Sequence, residues 1–241
     1  MSAPATVDEP MVAALPDAAE SPAVVTPEPA PLRMSYEEWL AWEHEGGLSE
    51  WVDGEVIIHM APQDEHQRVV EFLDRLLGLF VHMLQLGMVR VAPFAMRAMP
   101  GGPAREPDLF FLAAERMSLL QRRELAGPAD LAIEIISDDS VARDRADKFY
   151  EYQRGGVREY WIIDPRPGQQ RVDVYTLDAR GRYQPIPAVE GAYHSSVLAG
   201  FWLREDWLWV ERPDPLAALA EVVGVERVIG ALREGTGVEG K

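Results

Sequence analysis

The chain contains no cysteine, and only Lys148 and Lys241 among its 23 basic residues are lysine. Without cysteine there are no disulfides, no thiolate catalysis and no cysteine-ligated zinc. That composition suits the cytoplasm. Long apolar runs are also missing, since no stretch approaches the ~18 residues of a membrane span. The amino terminus lacks a basic segment followed by an apolar one, so neither a membrane anchor nor a secretion signal is expected. Basic charge is scarce too: 40 acidic residues leave a formal charge of −17. A polyanion would be repelled, which excludes a broad basic face for nucleic acid. DNA could be met only through a local basic patch or a bridging metal.

The scarcity of lysine makes Lys148 conspicuous. An exposed cation is served as well by arginine, which this chain uses 21 times. Lysine is needed where chemistry calls for a compact ammonium on a flexible stem. The ordinary reading is an exposed i,i+4 pair with Asp144, worth a few tenths of a kcal/mol. The arginine bias counts against it.

Residues 1–33 hold seven prolines, five acidic residues and one arginine, without periodicity. They read as a disordered acidic leader. Ordered structure is expected over 34–210, followed by a helical extension and acidic tail over 211–241. Ser35 and Glu38 form a capping-box pattern, and Gly46-Gly47 reads as the stop of that helix. "SEWVDGEVIIHMAP" reads as a hairpin turning at Asp53-Gly54. From about Asp64, the apolar positions Val69, Leu73, Leu76, Phe80 and Met83 predict a long helix. "MVRVAPFAMRAM", "EPDLFFL", "DLAIEIIS", "VREYWIID" and "RVDVYTL" read as strands, with "VLAGFWL" as an added edge. A helix from about Ser140 carries Lys148 and stops at Gly155-Gly156. The order predicts an α/β (α+β) fold, a mixed sheet flanked by helices.

Asp108 and Glu134 lie in two of these strands. Alternation puts Ile133 and Ile135 on one face and Glu134 on the other, beside Ala132 and Ile136. A carboxylate on so apolar a face requires a compensating cation or hydrogen bonds. Two carboxylates with a backbone carbonyl make a hard oxygen site suited to Mg²⁺ or Mn²⁺. Lys148 follows on the next helix, where an ammonium could orient a water or stabilise developing negative charge.

"SEWVDGEVI", "EPDLFFL", "LAIEIIS" and "DRADKFYEYQRGGVREYWIIDP" together resemble the Uma-type family of bacterial restriction endonucleases, within the PD-(D/E)XK nuclease superfamily. The resemblance spans roughly 34–210. It implies a restriction endonuclease-like core and a metal-dependent endonuclease acting on DNA. It implies Asp108 and Glu134 as metal ligands, the Ile135 carbonyl as another, and Lys148 as the catalytic lysine. The superfamily usually places that lysine two residues after the acidic residue, where this chain has Ile136; the family moves it to the next helix. Glu50 matches an acidic residue that some superfamily members place near the metal. Cleavage of two strands would favour a homodimer. The principal alternative is a catalytically inactive nuclease-fold module that binds partners. A two-carboxylate glycosidase using Asp108 and Glu134 is weaker, because that chemistry has no need of the lysine.

His66, at the start of the long helix, reads as a surface or cap-linked histidine rather than a cleft residue. Tyr152 is balanced between core and site. Arg143, Arg145, Arg154 and Arg158 read as solvated charge or phosphate contacts. No His-x₃-His, Gly-x-Ser-x-Gly or phosphate-loop pattern is present.

Overall fold

A computed structural model describes residues 31–42 and 47–236. Residues 1–30, most of the expected leader, lie outside the described residues, as do Gly46 of the first helix stop and the tail from 237 onward. The first ordered pieces are β1 (Leu32–Arg33), α1 (Tyr36–Ala41), β2 (Ser49–Val52) and β3 (Glu55–Ile58). Ser35 and Glu38 form the full reciprocal capping box of α1. β2 and β3 pair antiparallel across Asp53 and Gly54, both at positive φ (50° and 88°), as a tight primed turn demands. β1 then pairs with β3, so the last residues of the expected leader join a sheet.

The long helix α2 (Asp64–Met83) begins where its apolar periodicity begins. Val69, Leu73, Leu76 and Phe80 are buried as expected. Val70, Phe72, Leu77 and Val81 are buried too, because the helix presents a stripe wider than a single seam to the sheet. The segment predicted as one strand after it divides into β4 (Gly87–Val91) and β5 (Ala95–Met96) around a cis Ala92-Pro93 bond. β6 (Leu109–Ala113), β7 (Glu124–Leu125) and β8 (Leu131–Ile135) follow. Asp108 therefore lies immediately before its strand, where the sequence reading had placed it inside. After β8 come α3 (Lys148–Gly155), β9 (Glu159–Asp164), β10 (Arg171–Leu177) and β11 (Tyr183–Pro185).

The main sheet has the order β11-β10-β9-β8-β6-β4. Only β8 and β9 run parallel, and they are joined by the crossover through α3. This is the expected mixed sheet with helices on its faces. Leu131, Ile133 and Ile135 enter the core under α2, whereas Ala132 and Ile136 enter a second core with Tyr152 of α3. The period-two reading of β8 thus holds residue by residue, and Glu134 projects toward the α3 side.

"VLAGFWL" is not an edge of this sheet. Its β13 (Trp202–Arg204) pairs with β12 (Ala192–His194) as a separate ribbon. Leu198, Phe201 and Leu203 bury themselves against the α2 core, so burial rather than sheet extension fixes the segment. The carboxyl-terminal helix is two, α4 (Pro215–Val223) and α5 (Val225–Thr236), broken at Gly224. Ala218, Leu219 and Val228 belong to the same core, which joins these helices to the sheet. Among the described residues, no helix is long and apolar enough to cross a membrane.

Candidate active site

The carboxyl end of β8 opens on a cleft of about 680 Å³. Its lining includes His66, Glu106, Asp108, Glu134, Asp144 and Lys148. Lys148 is 2% exposed. Its Nζ lies 2.8 Å from Glu134 Oε2, 2.9 Å from Glu50 Oε1 and 3.2 Å from Asp144 Oδ1. The pair with Asp144 exists at its expected spacing, but it is buried and is one contact of three. A π-helical turn over Arg143–Asp147 precedes α3 and contains Asp144. Such turns recur at functional sites because the extra residue re-aims the side chains around it.

Three elements bring the carboxylates together. β8 supplies Glu134, whose other oxygen, Oε1, accepts a hydrogen bond from Tyr152 OH at 2.7 Å. The segment before β6 supplies Asp108, whose Oδ2 accepts from the Ile135 N–H at 2.7 Å. Asp108 is thereby tied to the residue following Glu134. The N–H and C=O of one strand residue point the same way, so the Ile135 carbonyl also faces the Asp108 side. Extending the β6–β8 register places Pro107, which has no N–H, opposite that carbonyl.

β2 supplies Glu50, fully buried. It is carried in by backbone bonds between Trp51 and Ala104, 2.9 Å in each direction. Its carboxylate meets Arg105 Nη1 at 2.9 Å and His59 Nε2 at 3.4 Å besides Lys148. Arg105 continues to Glu151 of α3 through two 2.7 Å bonds. Glu50 is therefore committed to these side chains and to the Glu106 N–H, which donates to its Oε1 at 3.3 Å.

The charges do not balance. Burial raises the Glu134 pKa, and Asp144, Asp108 and Glu50 add to the rise, so it stands well above the ordinary value despite Lys148. Burial acts the same way on Glu50, but Lys148, His59 and Arg105 outweigh it and hold its carboxyl well below the usual range. Burial alone would lower Lys148; Asp144, Glu134 and Glu50 overcome it, and the ammonium persists far into alkaline pH. Glu106 is pushed up to about 7, first by burial and then by Glu50.

The structure brings Asp108, Glu134, Ile135, Lys148 and Glu50 into one region, with Tyr152 touching Glu134. It also corrects the reading of His66. The imidazole is not a surface cap group: its Nε2 lies 3.3 Å from Asp108 Oδ1, and its side chain is 12% exposed. His59, Arg105 and Glu106 joined the site without a sequence signal, because their partners lie on other segments. Of the arginines flanking Lys148, Arg143 lines the cleft. Arg145 pairs with Asp173 and Arg158 with Asp130, both away from it.

Among the described residues, no three His, Asp or Glu side chains form a ready-made metal cage. The donor set nevertheless fits a divalent ion. Glu134, Asp144 and Glu50 share a single lysine, and the guanidiniums of Arg105 and Arg143 approach Glu50 and not the other two. Two carboxylates, a strand-end carbonyl and open cleft space suit Mg²⁺, which keeps several of its waters.

The family profile Uma2, described as "Putative restriction endonuclease", matches residues 35–206. No curated protein matches the chain. The crystal structure of "a putative nuclease belonging to DUF820" from Anabaena variabilis superposes with a TM-score of 0.58 at 19% identity, covering 72% of this chain and 96% of that one. At that identity the likeness shows a shared fold. The profile spans well over half of the chain, from the helix capped by Ser35 past β13, and takes in every residue of the cleft described above: this protein belongs to the Uma2 family of restriction-endonuclease-like proteins.

Proposed function

We propose that this protein is a divalent-metal-dependent endonuclease that hydrolyses phosphodiester bonds in DNA. The observation that carries the reading is the meeting of Asp108, Glu134 and Lys148 at one strand end, on the wall of an open cleft. Asp108, Glu134 and the Ile135 carbonyl would hold Mg²⁺ or Mn²⁺. When bound, the ion supplies a Lewis acid for the phosphate and a more acidic water.

The chain's own groups do the rest. Lys148, kept charged by its three carboxylates, donates toward the attacking water or the charge that develops on phosphorus-bound oxygen. Glu50 fixes the ammonium from behind. Tyr152 holds Glu134 in one orientation through its phenol, which burial keeps protonated. Arg143, on the cleft wall, is a local cation for a flanking phosphate in an otherwise acidic protein. Cutting both strands calls for two such sites, as a homodimer provides, and the cytoplasm supplies both DNA and Mg²⁺.

The test is cleavage of plasmid and single-stranded DNA with Mg²⁺ or Mn²⁺ by wild type, Asp108→Asn and Glu134→Gln. Both substitutions conserve shape and remove charge. Each is expected to lose about 10²-fold or more of the activity. Wild-type rates in either variant would remove that residue from the mechanism.

One observation favours a second reading, a nuclease-fold binding module without activity. Both Glu134 oxygens are already engaged, by Lys148 and Tyr152. Under that reading the wild type cuts no DNA and calorimetry detects no Mn²⁺ binding, whereas the endonuclease reading expects binding that Asp108→Asn weakens.

A further inference from the structure

The imidazole of His66 stands where a third ligand would. It projects from the first turn of α2, on the opposite side of the sheet from α3. Its Nε2 is 3.3 Å from Asp108 Oδ1. The same ring lines the cleft together with Ile135. The Ile135 N–H is given to Asp108 Oδ2, and the carbonyl of the same residue faces that side. One side chain thus touches an oxygen assigned above to the metal and shares the cleft with the residue that supplies another.

We propose that His66 Nε2 is a nitrogen ligand of the cation held by Asp108 and the Ile135 carbonyl, and that it biases the site toward Mn²⁺ over Mg²⁺. The inference rests on the metal-dependent reading above and adds to it the identity of one donor and the preferred ion.

Geometry is the first argument. Adjacent ligands of an octahedral ion with bonds of about 2.1 Å stand about 3.0 Å apart. The observed 3.3 Å between Nε2 and Oδ1 is close to that edge. An ion could therefore replace the ring proton between the two atoms without moving either element by more than a few tenths of an ångström.

The second argument is the other ring nitrogen. Nδ1 is buried and has no hydrogen-bond partner among the described residues. Nothing therefore commits the ring to one tautomer. A proton on Nε2 would face Asp108. For Nε2 to offer its lone pair, a neutral ring moves its proton to Nδ1, whereas a doubly protonated ring releases the Nε2 proton to solvent; Nδ1 carries the remaining proton, and no existing bond on it is broken. The third argument is selectivity. An imidazole in an oxygen site strengthens binding of later first-row ions, whereas Mg²⁺ gains little from nitrogen.

The test uses the full chain and Mn²⁺ and Mg²⁺ as probes, without DNA. Calorimetry on wild type, His66→Gln and Asp108→Asn gives both affinities, and pulsed electron paramagnetic resonance of bound Mn²⁺ reports nitrogen coupling. Glutamine keeps the hydrogen-bonding shape but offers an oxygen. We expect nitrogen coupling in the wild type that His66→Gln loses. Its Mn²⁺ affinity should fall about 10- to 100-fold. Its Mg²⁺ affinity should change by less than about threefold, so the preference collapses. A wild-type complex without nitrogen coupling, or a His66→Gln variant that keeps its Mn²⁺ affinity and preference, overturns the ligand role. In that case Asp108→Asn still weakens both ions, and the metal site itself stands. If the wild type binds neither ion, or Asp108→Asn binds both as tightly, the metal-dependent reading falls and this inference with it.

Discussion

The two ends of β8 treat buried carboxylates in opposite ways. Asp130, just before its amino end, is 1% exposed and fully answered. Its Oδ1 meets Arg116 at 2.8 Å and Arg158 at 2.9 Å, and its Oδ2 accepts the Ala113 N–H at 2.9 Å. Burial alone would raise its pKa, but the Ala113 bond and the two guanidiniums win and lower it. Glu134, near the carboxyl end, shares one ammonium with Glu50 and Asp144, and its pKa is raised. A carboxylate that only holds a fold together is given enough partners. One left short in a cleft is a place where a further cation or a proton must come.

Lys148→Met should break this contrast hardest. It leaves three carboxylates around an uncharged side chain, and removing one partner of a buried pair costs about 3–5 kcal/mol. Urea denaturation of the metal-free protein at pH 8 should show a loss of that size. The loss should be smaller at pH 5, because the raised pKa of Glu134 favours its protonated form in the folded protein as pH falls. An equal loss at both pH values would mean that charge is not its origin.

Asp130→Asn comes next. A lowered folded pKa contributes stability that is present above the unfolded value, near 3.9, and disappears as pH falls through the folded value. The variant should therefore be about 2 kcal/mol less stable at pH 7, with the gap to wild type closing below about pH 4. A gap independent of pH would show that hydrogen-bond geometry, not charge, is what Asp130 contributes.

Glu134→Gln should act with the opposite sign. A raised folded pKa makes the folded state bind more protons than the unfolded one above about pH 4.5, so stability declines as pH climbs from there toward the folded value. Removing the charge should stabilise the metal-free protein at pH 7 by on the order of 1 kcal/mol, the usual return for relieving a functional site. At pH 4 the gain should vanish. Destabilisation at pH 7 would mean that Lys148 keeps Glu134 ionised.

Arg158→Ala should be the mildest. Its side chain is 58% exposed, and Arg116 still serves Asp130. A loss below about 1 kcal/mol, further reduced in 1 M salt, is expected in the same denaturation assay. A larger loss would make the Asp130 cluster as dependent on one partner as the Lys148 cluster.

Much of the frame was legible in the residues themselves. Local pattern is enough for α1, whose cap lies within four residues, and for the β2–β3 hairpin, whose turn is two residues. The faces of β8 follow from a period of two. The unusual lysine, in a chain that otherwise prefers arginine, singled out Lys148. Strand carboxylates without a partner singled out Asp108 and Glu134, and the resemblance added Ile135 and Glu50.

Other features depend on distance through space. Pairing with Asp144 was visible at its i,i+4 spacing, but its burial was not, since the solvent is excluded by β2, β8 and α3 together. β12–β13 form a ribbon rather than a sheet edge because Leu198, Phe201 and Leu203 are drawn into the α2 core. His66 carries no sequence signal, since its partner Asp108 is 42 positions away. Sequence alone determined which side chains could do chemistry and which face of a strand or helix each would occupy, because those depend on residue type and local period. Tertiary structure decided which carboxylates receive enough cations, because Coulomb and burial energies are set by separations across the fold and not along the chain.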